Sequence, residues 1–194
     1  MRLFLSILVL IFSFQSFTKA SDVSVLEIEG ISVGDSLLDY FDETTIINNI
    51  RKDYVYKDDS FYDVEIMDKS FELYEGISLS LKKNDKSYLV YQITGFNFYE
   101  RKVEECFNKV EEVSNKISNL LENLHKVESE KPHNDDPTGN SHTKQVIFWH
   151  NSGSIFTECY DWSDKITKEK GWTDNFSVGV ALEEYDLWLN NKAY

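Results

Sequence analysis

The most apolar stretch of the chain is its start. Leu3 to Phe14 is interrupted only by Ser6 and Ser13, follows Arg2, and gives way to Thr18-Lys19-Ala20. A short cationic start, an apolar run and small residues at the cleavage positions form the pattern of a secretory signal peptide. A membrane anchor takes roughly 20 apolar residues in a helix, and this run is shorter. The expected organisation is a signal peptide over 1–20 and a single domain over 21–194, with no membrane span in the mature chain.

Downstream, the pattern switches between two periods. Ile77, Leu79 and Leu81 alternate with Ser78, Ser80 and Lys82, the period of two of a half-buried strand. Strand is expected over 61–81. Lys83-Asn84-Asp85-Lys86 has turn composition, and 88–94 is the returning strand, ended by Gly95. Then Val103, Cys106, Val110, Val113, Ile117, Leu120 and Leu124 recur in steps of three and four, one apolar stripe on a helix. The spacing predicts a helix over Phe98–Lys126, with Asn97 and Glu100 placed as a capping box. Glu105 with Lys109 and Glu112 with Lys116 form i,i+4 pairs on its wet face. Such a stripe suits either a coiled-coil seam or a helix laid on its own sheet, and the second is the expectation.

A second hairpin is expected from 146–150 and 155–162, a last strand at 176–180 and a closing helix at 182–189. Short helices are expected over 35–41 and 43–50. Val127 to Lys144 holds both prolines and many turn formers, which predicts a polar loop at about 127–144; 163–175 reads as another. The fold class is α+β, an antiparallel sheet of hairpins with one long amphipathic helix packed on it.

Charge narrows the partners. The chain carries 20 Lys and Arg against 34 Asp and Glu, a net charge of −14; loss of Arg2 and Lys19 with the leader makes the mature chain more acidic still. An acidic surface repels nucleic acid and anionic lipid, so neither is an expected partner. An unknown protein or small ligand remains. The two cysteines, Cys106 and Cys159, are an even number in an exported chain, which is read as one disulfide; two separate buried thiols are the alternative. No CxxC, Rossmann glycine pattern or P-loop occurs, and no cofactor is expected.

Three motifs bear on chemistry. Gly34-Asp35-Ser36-Leu37 resembles the signature of the GDSL esterases and lipases, which implies Ser36 as nucleophile. A serine needs a base held within hydrogen-bond reach. That family supplies it as Asp-x-x-His near the C-terminus, and none of His125, His133, His142 or His150 follows an Asp by three. His150, at a strand end, is the best-supported base for this alternative. The other reading of Ser36 is a helix cap. Second, Asn134, Asp136, Thr138 and Gly139 fall at positions 1, 3, 5 and 6 of a calcium-loop pattern, but position 12 is Gln145 where a bidentate Glu is needed; no metal is expected. Third, all four tryptophans, Trp149, Trp162, Trp172 and Trp188, lie in the last quarter. They suit a core of large aromatics or a stacking platform for a sugar or peptide, with Trp172, in a polar loop, the candidate stacking residue.

The stretches Glu29-Gly30-Ile31-Ser32-Val33-Gly34-Asp35-Ser36-Leu37-Leu38-Asp39-Tyr40-Phe41 and Cys159-Tyr160-Asp161-Trp162-Ser163 resemble a group of short uncharacterised exported proteins from marine bacteria with streamlined genomes, which have no assigned activity. Ile31-Ser32-Val33-Gly34, followed by a short helix and a hairpin, is also similar to the opening of small envelope domains related to outer-membrane assembly lipoproteins and lactamase inhibitors. That resemblance implies a binding or assembly role. The sequence reading is thus an exported, periplasmic or secreted, non-enzymatic binding or interaction module of the cell envelope. A GDSL-type esterase using Ser36 is the alternative. Mass spectrometry of the exported fraction is expected to find a mature N-terminus at or near Ser21; recovery of only the full-length chain from the cytosol would refute the leader.

Overall fold

A computed structural model describes residues 22–52, 56–119 and 124–194; the expected signal peptide lies outside the described residues. The chain runs through β1 (Glu27–Ile28), β2 (Ile31–Ser32), α1 (Glu43–Asn48), β3 (Phe61–Met67), β4 (Gly76–Lys82), β5 (Val90–Phe98), α2 (Val103–Ile117), β6 (His125–Pro132), β7 (His142–His150), β8 (Gly153–Asp161), α3 (Asp164–Lys170), β9 (Asn175–Leu182) and α4 (Glu183–Asn191). Seven strands pair antiparallel in the order β3-β4-β5-β9-β8-β7-β6, and β1 with β2 forms a separate small hairpin. Two meanders, β3 to β5 and β6 to β9, thus meet where β9 pairs with β5. The class is α+β, as the two hydrophobic periods imply.

Period two puts alternate residues of each strand on opposite faces, and register decides which of them meet. Val64 pairs with Leu79, Leu79 with Ile93, Ile93 with Val180, Val180 with Ile155, and Ile155 with Phe148. All six are at most 2% exposed, so one unbroken apolar row crosses six strands. Fully burying each such side chain is worth about 1.5–3 kcal/mol. Helix α2 and residues 23–46 cover this face, burying Cys106, Val110, Ile117, Val23, Ile31, Leu37 and Ile46 with it. The Cys106–Cys159 disulfide, Cα atoms 5.9 Å apart, clamps α2 onto β8.

The helix is shorter than its sequence pattern suggests. It spans Val103–Ile117 rather than 98–126, because Phe98 and Asn97 are still in β5 and pair with Asn175 and Phe176 of β9. Asn97 accepts from Glu75 N–H instead of capping the helix, and the N-cap residue, Lys102, makes no side-chain cap bond. On the wet face Glu112 pairs with both Lys109 and Lys116. The stripe itself faces the sheet as a covering face: Cys106, Val110 and Ile117 are buried and Val113 packs against them. Leu120 lies outside the described residues.

Other differences have equally local causes. The 61–81 stretch divides into β3 and β4 around residues 68–75. Gly95 does not end the returning strand. The strand passes through it, and the Tyr74 ring lies where a Cβ would stand, 2.6 Å away. Within the stretch expected as loop, 125–132 forms β6, leaving 133–141 as the loop proper. Strand β6 lies at the sheet edge and is almost wholly exposed, so it carries no apolar alternation to read. In the 163–175 stretch, Ser163 caps α3 by accepting from Ile166 N–H, and Gly171 ends it in the left-handed region.

The opposite face of the sheet is covered by α4 at one end. Tyr185, Trp188 and Ala193 pack there with Phe61 and Ala181 into a second core. A register shift between Ser80 and Leu81 pairs Leu81 with Val90 and Ser80 with Gln92, placing Tyr91 in a bulge. The ring of Tyr91 meets Phe61 at 5.1 Å in this second core. Among the described residues no helix is long and apolar enough to cross a membrane.

The bridge spans 53 residues of chain, for which loop-closure entropy gives an upper figure of about 4 kcal/mol. The double variant Cys106→Ser/Cys159→Ser is therefore expected to lose about 2–4 kcal/mol in urea unfolding. An unchanged midpoint would show that α2 docks without the clamp.

Candidate functional site

Ser36 sits in a knot of backbone bonds. Gly34, at φ +92°, makes the bend. Gly34 N–H then donates to Val90 C=O, Val90 N–H to Asp35 C=O and Leu37 N–H to Tyr88 C=O. The Ser36 hydroxyl donates to Ser87 C=O at 2.7 Å and accepts from Leu38 N–H at 3.3 Å, capping the short 3-10 turn Leu37–Asp39. Asp35 accepts from Ser32 N–H and from the Tyr40 hydroxyl. The Asp35 carboxylate holds the Tyr40 phenol up at about 12. The whole tetrapeptide ties the 31–41 turn to the start of β5, and none of the Ser36 bonds involves a histidine.

His150 lies at the end of β7, bonded within its own turn. Its Nδ1 meets Ser152 Oγ at 2.8 Å and accepts from Ser152 N–H at 3.2 Å. Ser152 Oγ in turn accepts from Val23 N–H at 3.1 Å. Asp22 lies beside this pair, but its Oδ1 caps Ser24 N–H; that bond is the main cause of its lowered pKa, with smaller contributions from His150 and Ser152. A serine, a histidine and an aspartate thus meet in an order unlike a catalytic triad, in which the acid orients the imidazole through its other nitrogen. Their common effect is to fasten residues 22–25 to the β7–β8 turn. The sequence gives no sign of this meeting, because Val23 and Ser152 are 129 residues apart.

The 133–141 loop is organised by one carboxylate. Asp136 Oδ1 accepts from Thr138 N–H and Oγ1, and Oδ2 from Ser141 N–H, Ser141 Oγ and Ser163 Oγ. These donors, the hydroxyls of Thr138 and Ser141 foremost, hold the carboxyl well below its usual range. The calcium-like spacing is therefore a turn built on Asp136, and no His, Cys, Asp or Glu cluster among the described residues is arranged to hold a metal.

That loop carries His133 onto an aromatic corner. Tyr160, at the end of β8, and Trp162, just beyond, lie parallel with centroids 5.4 Å apart. His133 stands edge-on to both, and Trp172 leans on Trp162 at 4.6 Å. Lys170 Nζ lies 4.6 Å from the Trp172 ring centre. All four rings are half-buried, and desolvation lowers the pKa of His133. Asp174 fixes the corner from beneath, accepting from Trp162 N–H at 2.7 Å and Arg101 N–H at 3.0 Å. Of the four tryptophans, Trp188 alone is core, 4% exposed.

The face of the sheet that α4 partly covers carries buried acids. Asp63 accepts from Ser80 Oγ at 2.6 Å and from the Tyr56 hydroxyl, and Ser80 also bonds Gln92. Burial, then the Asp63 charge, pushes the Tyr56 phenol far up. A groove beside it is lined by Ile50, Arg51, Tyr62 and Lys83, with Arg51 paired to Glu65 and Lys83 to Asp59. Farther along, Glu158 accepts from Gln145 Nε2 and Ser177 Oγ, and burial pushes its carboxyl up.

Two hydrogen bonds hold the Ser36 hydroxyl in a capping role. Ser36→Ala is accordingly expected to cost about 1 kcal/mol in stability and a fluorophosphonate probe to leave the wild type unlabelled; labelling that disappears in Ser36→Ala would establish the esterase. No protein-family profile, curated protein or solved structure matches this chain.

Proposed function

We propose that the chain is a non-enzymatic binding or interaction module of the cell envelope, exported to the periplasm or beyond, and that it meets its ligand at the aromatic corner around Trp172. The observation that carries this reading is the assembly of four half-buried rings, His133, Tyr160, Trp162 and Trp172, at one end of the sheet. Rings of this size supply large contact area with few rotatable bonds. Here Asp136 and Asp174 fix the backbone from which they project, so little order is lost on binding. The Cys106–Cys159 bridge suits an oxidising compartment, and the net charge of −14 favours neutral or basic ligands over anionic ones.

A sugar face or the side chains of a peptide would stack on such a corner. Titration of the purified protein with a panel of soluble neutral oligosaccharides and with basic and neutral synthetic peptides, followed by tryptophan fluorescence and calorimetry, tests the reading. One class is expected to bind without being cleaved. Trp172→Ala is expected to weaken binding about tenfold, the equivalent of roughly 1.4 kcal/mol, with the melting temperature little changed. Binding that Trp172→Ala leaves untouched would move the surface elsewhere on the molecule.

A further inference from the structure

Helix α4 is seated on the sheet by a carboxylate in an unfavourable position. Asp186 is 9% exposed on the inner side of the helix. Its Oδ1 accepts from the Ser154 hydroxyl of β8 at 2.9 Å, while its Oδ2 is buried without a hydrogen-bond partner. A buried carboxylate oxygen left without a donor destabilises the charged form. Protonation removes that charge and turns the same group into a donor.

Among the described residues, no cation acts on Asp186 itself. The element packing against Asp186 through a direct bond is β8, and it presents Ser154. From β9 the paired neighbour of Ser154 is Ala181, and from β5 the partner of Ala181 is Gln92. On the helix, Glu183 adds like charge, and Glu184 turns away to pair with Lys82. The remaining titratable groups under α4 are Asp58, which accepts from Trp188 Nε1 at 3.0 Å, and Asp63 with Tyr56, near Tyr185. The cations at the seat are engaged elsewhere: Lys82 lies over the Tyr91 and Phe61 rings and pairs with Glu184, and Lys192 acts on Asp58.

We propose that α4 is a pH-sensitive latch: with Asp186 protonated the helix is held tightly, and with Asp186 charged it opens more often, uncovering the Phe61, Tyr91 and Ala181 surface. Burial, opposed by the Ser154 bond and reinforced by Glu183, raises the carboxyl from the ordinary 3.8 to about 6. The raised value belongs to the docked state, so docking takes up a proton. Docking is strongest below pH about 4, weakens as pH rises through about 6, and is constant above. This proposal is independent of the aromatic corner, which lies at the other end of β8.

Hydrogen exchange of the purified protein, read by mass spectrometry and corrected for intrinsic rates, tests it. From about pH 5 to about pH 7.5, peptides covering α4 are expected to lose about tenfold in protection, the ratio that linkage gives for these two values, while β8 and β9 peptides stay constant. Asp186→Asn is expected to remove the dependence, and Glu183→Gln, which deletes the like charge without touching the buried group, to move the midpoint to lower pH. Three results would overturn the latch: a wild-type α4 whose protection ignores pH, a dependence that persists in Asp186→Asn, or loss of protection over β8 and β9 in step with α4. Should Asp186→Asn fail to fold, an unmoved midpoint in Glu183→Gln would overturn it instead.

Discussion

The pairing of β9 with β5 is the interaction on which the rest of the molecule depends. Seven residue pairs, from Gln92 with Ala181 to Phe98 with Asn175, join two meanders that are otherwise separate along the chain. Without that seam, each meander would present an unpaired inner edge and half of an apolar face. With it, Ile93 and Val180 meet in the middle of the row from Val64 to Phe148, and one layer of cover, α2 with residues 23–46, serves both halves. The seam forms late in chain order, because β9 follows all six other strands of the sheet. Contacts so distant in sequence make for slow folding.

The parts of this architecture that were legible in the sequence are those with strong hydrophobic periods. Ile77, Leu79 and Leu81 alternate and are fully buried; Cys106, Val110 and Ile117 recur at helical spacing and face the sheet. What stayed hidden lacks such a period. Strand β6 is written in lysine and glutamate because only its pairing with β7 makes it a strand. Helix α3 buries little beyond Ile166, and its signals are its Ser163 cap and Gly171 stop. The far end of α2 reads too long because Leu124 continues the apolar series at the right spacing, and its near end because nothing in the sequence marks Asn97 and Phe98 as strand.

The aromatic corner was legible in part. Trp172 could be singled out by its polar surroundings, and Trp162 and Tyr160 by their spacing of two at a strand end. Nothing in the sequence brings His133 to them, since that depends on Asp136 reaching Ser163 across 27 residues. The face toward α4 was not legible at all. Asp63, Ser80, Gln92 and Ser154 look like the wet side of alternating strands, and the structure buries them under a helix whose own sequence, with Glu183, Glu184 and Asp186, looks like a solvated one.

The charged edge has a consequence beyond its own strand. Strand β6 presents Lys126, Glu128, Glu130 and Lys131 along the outermost position of the sheet, and the opposite flank, β3, is partly closed by the backbone of Asn49 and Arg51 bonding to Glu65 and Asp63. Another chain adding a strand to either flank would have to match mixed charge on one side and displace existing bonds on the other. A seven-stranded sheet with an apolar row through its centre is otherwise good material for fibrils. With one flank charged and the other partly covered, each edge of this sheet works against adding a strand from a second copy.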